Sequence, residues 1–281
     1  MKIRYRTAGE RYVLVEYGDA ELDLRLNFFV VRALAGLTED PPPGFVEAAP
    51  GFRSILVRFD PARTSRAALL AHLTVVHERL PDISSLVVPS RRITLPIAFD
   101  DSATRRAVEL YAATIRAAPY TEGGSNVDHI VEQNGLPDRE ALYAKVLGTQ
   151  WWTAFTGFSP GLPFTFSLRE PTGLSVPKYN PARAWTPEGA VGMGGPSLAV
   201  FPVDSPGSYQ LLGRTVPIFD VLARNDVFAA SPFLLRAGDR LEFVRVEEAE
   251  LTEIRRLVLE NRYRYEVVEE PFVVADYLEG R

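Results

Sequence analysis

Between Trp151 and Val246 glycine and proline cut the chain into short β-prone pieces, at 152–158, 199–203, 209–212, 216–219 and 240–246. A helix needs roughly ten or more uninterrupted residues with apolar side chains every three or four positions. This stretch offers neither, so its punctuated short strands predict a closed or sandwich-like all-β unit.

Upstream of Gln150 the pattern differs. Residues 12–17 read as a strand, and Gly18-Asp19 then opens an amphipathic helix with Leu22, Leu26, Phe29, Ala33 and Leu37 on one face. Pro41-Pro42-Pro43-Gly44 breaks that pattern, residues 54–59 read as a second strand, and Thr64 or Ser65 caps a helix carrying Leu69, Leu70, Leu73, Val76 and Leu80. A small α+β domain is therefore expected over residues 1–88. Ile93, Leu95, Ile97 and Phe99 alternate as in a one-sided strand, Asp101-Ser102 caps a helix through Tyr111, and short helices follow at 126–134 and 138–147. These belong with the β-rich stretch to a second domain, 89–246. Residues 247–281 read as a terminal helix bearing Leu251, Ile254, Leu257 and Leu259, followed by an extended tail.

The 281 residues are 46% hydrophobic and 24% charged with a net charge of -5, which suits a core-forming protein and argues against nucleic acid as a partner. No run approaches the roughly 18 apolar residues of a membrane span, and Met1–Arg6 leads into a strand-like run. A cytoplasmic protein without membrane contact is expected. The absence of cysteine removes disulfides, thiolate nucleophiles and thiolate metal sites. His72 and His77 stand five apart and do not share a helix face, so no metal site is expected from them or from His129. There is no Gly-x-Ser-x-Gly elbow and no phosphate-binding glycine motif, which leaves Gly189–Gly195 as expected turn glycines of a barrel.

One segment stands apart. In Pro177-Lys178-Tyr179-Asn180-Pro181-Ala182-Arg183-Ala184-Trp185-Thr186-Pro187, three prolines remove backbone donors and fix φ, so the segment must be an ordered loop or edge strand. Two readings stay open for it: a barrel connection with surface charges, or a loop that aims side chains at a ligand. Lys178, Asn180, Arg183 and Trp185, with Tyr209, Gln210 and Arg214 downstream, form a donor-rich set suited to a carboxylate or ureido oxygen.

Together with Pro89-Ser90-Arg91, Leu95–Thr104, and the run from Ser205-Pro206-Gly207 to Gly213-Arg214-Thr215, the Lys178–Pro187 segment resembles the first half of the carboxyltransferase domain of biotin-dependent urea carboxylase. The same family includes proteins known as allophanate hydrolase subunit 1 and the B subunit of 5-oxoprolinase, or KipI. Gly157-Phe158-Ser159-Pro160-Gly161-Leu162-Pro163-Phe164 resembles a 5-oxoprolinase signature, although Val146 stands where a histidine usually precedes it. The Lys-Tyr-Asn-Pro-Ala-Arg and Trp-Thr-Pro runs are more like urea carboxylase.

The resemblance implies a cyclophilin-like β barrel with flanking helices, and half of a carboxyltransferase moving a carboxyl group from carboxybiotin to urea or a urea-like amide. It implies Lys178 and Arg183 as catalytic contacts to the carboxylate or ureido oxygen. Asn180 and Gln210 are then substrate hydrogen-bonding groups, with Tyr209, Arg214 and Trp185 around the substrate. Met193 is followed by Gly194, so biotin is expected on another chain or domain, with ATP used by a partner subunit. The partners implied are subunit 2, a cyclophilin-like second half, and a biotin carboxylase with its carrier protein; the isolated chain is expected to be inactive. Two other roles follow from the same family: a 5-oxoprolinase B subunit, working with the A and C subunits in ATP-dependent ring opening, and a KipI-like histidine-kinase inhibitor.

Overall fold

The computed structural model describes residues 1–169 and 173–280 and divides into two compact units, Met1–Arg91 with the residues from Glu269, and Arg92–Val268. Of the expected C-terminal stretch, residues through Val268 lie in the second unit and those from Glu269 in the first. Arg281 and residues 170–172 of the expected barrel region lie outside the described residues.

In the first unit, β1 (Ile3–Thr7), β2 (Tyr12–Tyr17), β3 (Phe45–Pro50) and β4 (Ser54–Phe59) form an antiparallel sheet in the order β1-β2-β4-β3. Val13, Val15 and Tyr17 of β2 and Ile55, Val57 and Phe59 of β4 are buried while the residues between them are not, the period of two that turns one sheet face to the core. Each buried aliphatic side chain contributes about 1.5–3 kcal/mol relative to exposure. Helix α1 (Leu24–Glu39) packs on β3 and β4 and against α2 (Arg66–Glu78). It starts later than Gly18-Asp19 suggests: the Asp23 carboxylate accepts from the Arg25 N–H at 2.9 Å, and Leu22 lies outside the helix in solvent. Ser65 caps α2 by accepting from Ala68 N–H at 3.2 Å. The short β5 (Val87–Val88) pairs with Phe272–Val273, and Phe28 of α1 packs its ring 4.9 Å from Phe272.

The buried His77 of α2 lies between two phenols, its Nδ1 2.8 Å from the Tyr5 hydroxyl and its Nε2 2.8 Å from the Tyr17 hydroxyl. Burial pulls its pKa from 6.5 down to about 4, so the ring is neutral in the fold.

In the second unit β6 (Arg91–Phe99) leads into α3 (Ser102–Thr114), α4 (Val127–Gln133) and α5 (Arg139–Leu147). The Asp101 carboxylate caps α3, accepting from Ala103 and Thr104 N–H. There follow β7 (Trp151–Thr156), β8 (Pro163–Ser167), β9 (Arg183–Thr186), β10 (Ala190–Gly194), β11 (Ser197–Val200), β12 (Ser205–Gly207), β13 (Gln210–Thr215), β14 (Arg240–Arg245), α6 (Glu248–Leu259) and β15 (Glu266–Glu269). Strands pair in the order β13-β10-β11-β8-β7-β14-β6, and β6 pairs back onto β13, closing a barrel; β15 extends from β6, and β9 and β12 form a separate ribbon. Closure leaves the ring strands, β6 through β14 apart from β9 and β12, paired on both sides. At the seam Gly213 faces Phe99, and a Cβ there would sit 2.1 Å from the Ala98 carbonyl oxygen, so only glycine lets the backbones meet.

The second unit departs from the sequence expectation at two places. Residues 216–219 do not form a ladder strand: β13 ends at Thr215, Pro217 has no N–H to donate, and Phe219 makes only an isolated bridge to Phe233. The Gly189–Gly195 run is not merely a turn, since Ala190–Gly194 is a barrel strand buried along its whole length.

The barrel strands have two apolar sides. Ile93, Leu95, Ile97, Val191, Met193, Leu198, Val200, Leu212 and Leu241 belong to the large core, while Ala190, Ala199, Leu211 and Tyr209 form a second cluster with Ala107 of α3, Leu162 and Phe201. The candidate site is built on that second layer.

Candidate functional site

The segment leading into β9 is irregular because its prolines cannot join a ladder, so side chains take over the bonding of its backbone. Gln210 donates from Nε2 to Pro177 O at 2.9 Å, the Tyr111 hydroxyl donates to Pro181 O at 3.0 Å, and Arg116 donates to the Asn180 carbonyl across a cis Asn180–Pro181 bond. Tyr179 N–H bonds Ser208 O at 2.7 Å, and β9 then pairs with β12. The buried Tyr179 ring packs against Tyr111 at 4.7 Å and Tyr120 at 4.4 Å.

Asn126 ties this segment to the barrel. It is buried, accepts from Leu211 N–H at 2.8 Å, and donates to the Tyr179 hydroxyl and Tyr120 O, each at 2.6 Å.

Arg183 is 1% exposed. Its Nη1 donates to the Tyr209 carbonyl at 2.7 Å, its Nη2 to Thr186 Oγ1 at 3.2 Å, and its guanidinium carbon lies 4.4 Å from the Tyr179 ring centre. Among the described residues no carboxylate pairs with it, and its buried Nε has no hydrogen-bond partner. Burial pulls its pKa below the ordinary arginine value, with Tyr179 opposing that shift. An uncompensated buried charge is costly, and the Tyr179 π face offsets part of the cost.

In front of Tyr209 lies a cavity of about 110 Å³, walled by Phe158, Leu162, Phe164, Phe201 and Tyr209 and by the small residues Ala199, Gly207 and Ser208. Among the described residues Lys178 is the one charged group lining it, with Nζ 5.1 Å from the centre of the Tyr209 ring. Burial raises the Tyr209 phenol above its ordinary pKa, so at neutral pH it remains protonated. Gly194 makes room for this arrangement: a Cβ there would lie 2.5 Å from Tyr209 Cδ1 and 3.0 Å from Lys178 Cγ.

The sequence-expected residues thus separate by position. Lys178 and Tyr209 share the cavity, and Arg183 braces the Tyr209 backbone. Gln210 is fully buried and, by strand alternation, shares the side of Leu212 and not that of Tyr209; among the described residues its buried Oε1 has no hydrogen-bond partner. Trp185 packs on the cavity's apolar cluster and donates from Nε1 to Asp204 at 3.1 Å. Asn180 is exposed, with its carbonyl engaged by Arg116. Arg214 is directed elsewhere, donating from Nε to Glu188 O at 2.8 Å and sharing the Glu188 carboxylate with Arg255. Sequence reasoning did not single out Phe201, Ala199, Tyr111, Tyr120, Arg116 or Asn126. Phe158 and Phe164 did lie in a noted motif, without a role.

Among the described residues no group of three or more His, Cys, Asp or Glu side chains gathers as a metal site, and no helix is long and apolar enough to cross a membrane. An ammonium beside aromatic walls, without a lining carboxylate, can donate to an anionic or carbonyl oxygen.

Residues 3–229 match the family model described as carboxyltransferase domain, subdomain C and D. The urea amidolyase of Lachancea kluyveri is 34% identical over 99% of this chain, which spans 15% of that protein's length. The 5-oxoprolinase B subunit of Bacillus subtilis is 30% identical over 88% of this chain and 95% of its own length. The crystal structure of Kluyveromyces lactis urea carboxylase superposes on 99% of this chain with a TM-score of 0.84 and 33% identity, the match covering 24% of that chain. From its barrel to its Lys178 segment, the chain belongs to the family of carboxyltransferase-domain proteins that includes urea carboxylases and the B subunits of 5-oxoprolinases.

Proposed function

We propose that this chain supplies one part of a biotin-dependent carboxyltransferase that moves a carboxyl group from carboxybiotin to a nitrogen of urea or a urea-like amide. The observation that carries the proposal is the aromatic cavity lined by the charge of Lys178, in a chain that superposes along 99% of its length on a urea carboxylase.

Biotin, borne by another chain or domain, supplies the carboxyl group from its ureido nitrogen. The residues here fit such a group: Lys178 would hold a ureido or carboxylate oxygen, and Phe164, Phe201 and Tyr209 would exclude water around it. Lys178 would donate to the oxygen on which negative charge develops during the transfer. Arg183 holds the Tyr209 carbonyl, and thereby the wall facing Lys178, through the buried bond at 2.7 Å. Gln210 and Trp185 act through the loop backbone and Asp204, keeping Lys178 in register. Asn180 remains available for substrate hydrogen bonding from the surface. A subunit 2 completes the site, and a biotin carboxylase with its carrier protein provides the charged donor.

A second reading, a 5-oxoprolinase B subunit working with the A and C subunits, draws on one observation: the match to the Bacillus subtilis protein covers 95% of that protein's length. The complex reconstituted with its partner chains distinguishes the two. Urea-dependent carboxyl transfer without 5-oxoproline-dependent ATP hydrolysis supports the carboxyltransferase, and the reverse pattern replaces it with the 5-oxoprolinase.

A further inference from the structure

We infer that Phe158 is a specificity-determining residue of the cavity, which stacks on a planar amide, ureido or lactam group held by Lys178; this rests on the functional reading above. Phe158 lines the cavity from the turn between β7 and β8, yet it is 71% exposed. Its φ is 65°, in the left-handed region that a bulky side chain avoids. The turn holds it there through three bonds: Gly157 N–H to Leu162 O at 3.0 Å, Ser159 N–H to Gly157 O at 2.8 Å, and Leu162 N–H to Ser159 O at 3.1 Å.

The chain by itself gives the ring little in return for that backbone, since most of it faces water. A bulky residue kept in a strained conformation at the edge of a cavity is accounted for by a ligand that covers it. The other walls indicate the ligand's shape. Phe164 and Tyr209 stand nearly perpendicular, 79° apart with ring centres at 6.3 Å, and Lys178 Nζ lies above the Tyr209 ring. Aromatic faces set around one another favour a flat guest over a tetrahedral one. The volume, about 110 Å³, is smaller than the roughly 150 Å³ of an engineered cavity that takes benzene. That admits an amide, a ureido group or the edge of a five-membered ring. Among the described residues no carboxylate lines the cavity, so the guest presents an acceptor oxygen to Lys178.

The test uses the complex reconstituted with its partner chains, carrying Phe158→Ala, Phe158→Gly or Phe158→Trp, with urea and 5-oxoproline as acceptor probes. Phe158→Ala and Phe158→Gly should raise KM roughly tenfold with kcat changed less than about twofold, and Phe158→Trp should restore KM. Phe158→Gly should do so without lowering Tm, because glycine accepts the left-handed backbone; a purely structural ring would show the opposite. An unchanged KM in Phe158→Ala, beside turnover lost in Lys178→Ala, overturns the stacking role and leaves the functional reading standing. If Lys178→Ala is silent as well, both fall. Weakened assembly at unchanged KM makes Phe158 a docking contact and also overturns the stacking role.

Discussion

Arg183, buried and without a carboxylate partner among the described residues, donates from Nη1 to the Tyr209 carbonyl at 2.7 Å, so the proline-rich segment and the cavity wall are one piece of structure. Its guanidinium braces the wall, and among the described residues Lys178 is the cation that lines the cavity.

Arg183→Met keeps the volume but leaves the Tyr209 carbonyl and the Thr186 hydroxyl without their donor. It should lower stability by about 1–3 kcal/mol, read from the urea midpoint at constant m-value. Arg183→Lys should not recover the loss, since one ammonium cannot reproduce the fork that reaches both acceptors.

Asn126 should be as sensitive. Asn126→Leu strips partners from Leu211 N–H, the Tyr179 hydroxyl and Tyr120 O at once, and should cost roughly 2–4 kcal/mol by urea denaturation. A midpoint equal to that of the parent would remove Asn126 as the tie between segment and barrel.

Gly194→Ala places a methyl 2.5 Å from the Tyr209 ring. The ring must move, with a loss of about 1–3 kcal/mol and of ligand binding together. Tm by calorimetry and acceptor KM should therefore shift in the same variant.

His77 makes the stability of the first unit depend on pH. Its folded pKa, about 4, lies below its ordinary 6.5, so the unfolded chain takes up the proton first. The contribution is fully present above pH 6.5 and is lost as pH falls toward 4, for a total of about 3 kcal/mol. His77→Gln should flatten that part of the urea-midpoint profile between pH 7 and 4; an unchanged slope would assign it to other groups.

Local signals in the sequence were legible where local physics decides. The caps Ser65 and Asp101 hold α2 and α3 as expected, and the alternation at Ile93, Leu95 and Ile97 is a barrel strand. β10 escaped notice because Gly192 and Gly194 within it and Gly195 just after it look like turn chemistry. Those first two glycines answer to Tyr209, whose ring arrives from β13's side of the chain, a long-range fact no window contains.

The site divides the same way. Lys178 and Tyr209 stood out through motif position, and they do share a cavity. The burial of Arg183 was not legible, because an arginine between prolines reads as surface until Tyr179 and the Tyr209 carbonyl are known to surround it. Asn126 reaches partners 53 and 85 residues away, so nothing near it in the chain announces its role.

The most direct test is the initial rate of carboxyl transfer to urea by the complex reconstituted with Lys178→Ala in place of the parent chain. The account predicts a fall of about 10²–10³-fold in kcat, the size expected for one lost donor to a developing anion, at unchanged Tm. A rate equal to that of the parent, in a folded and assembled complex, would contradict it.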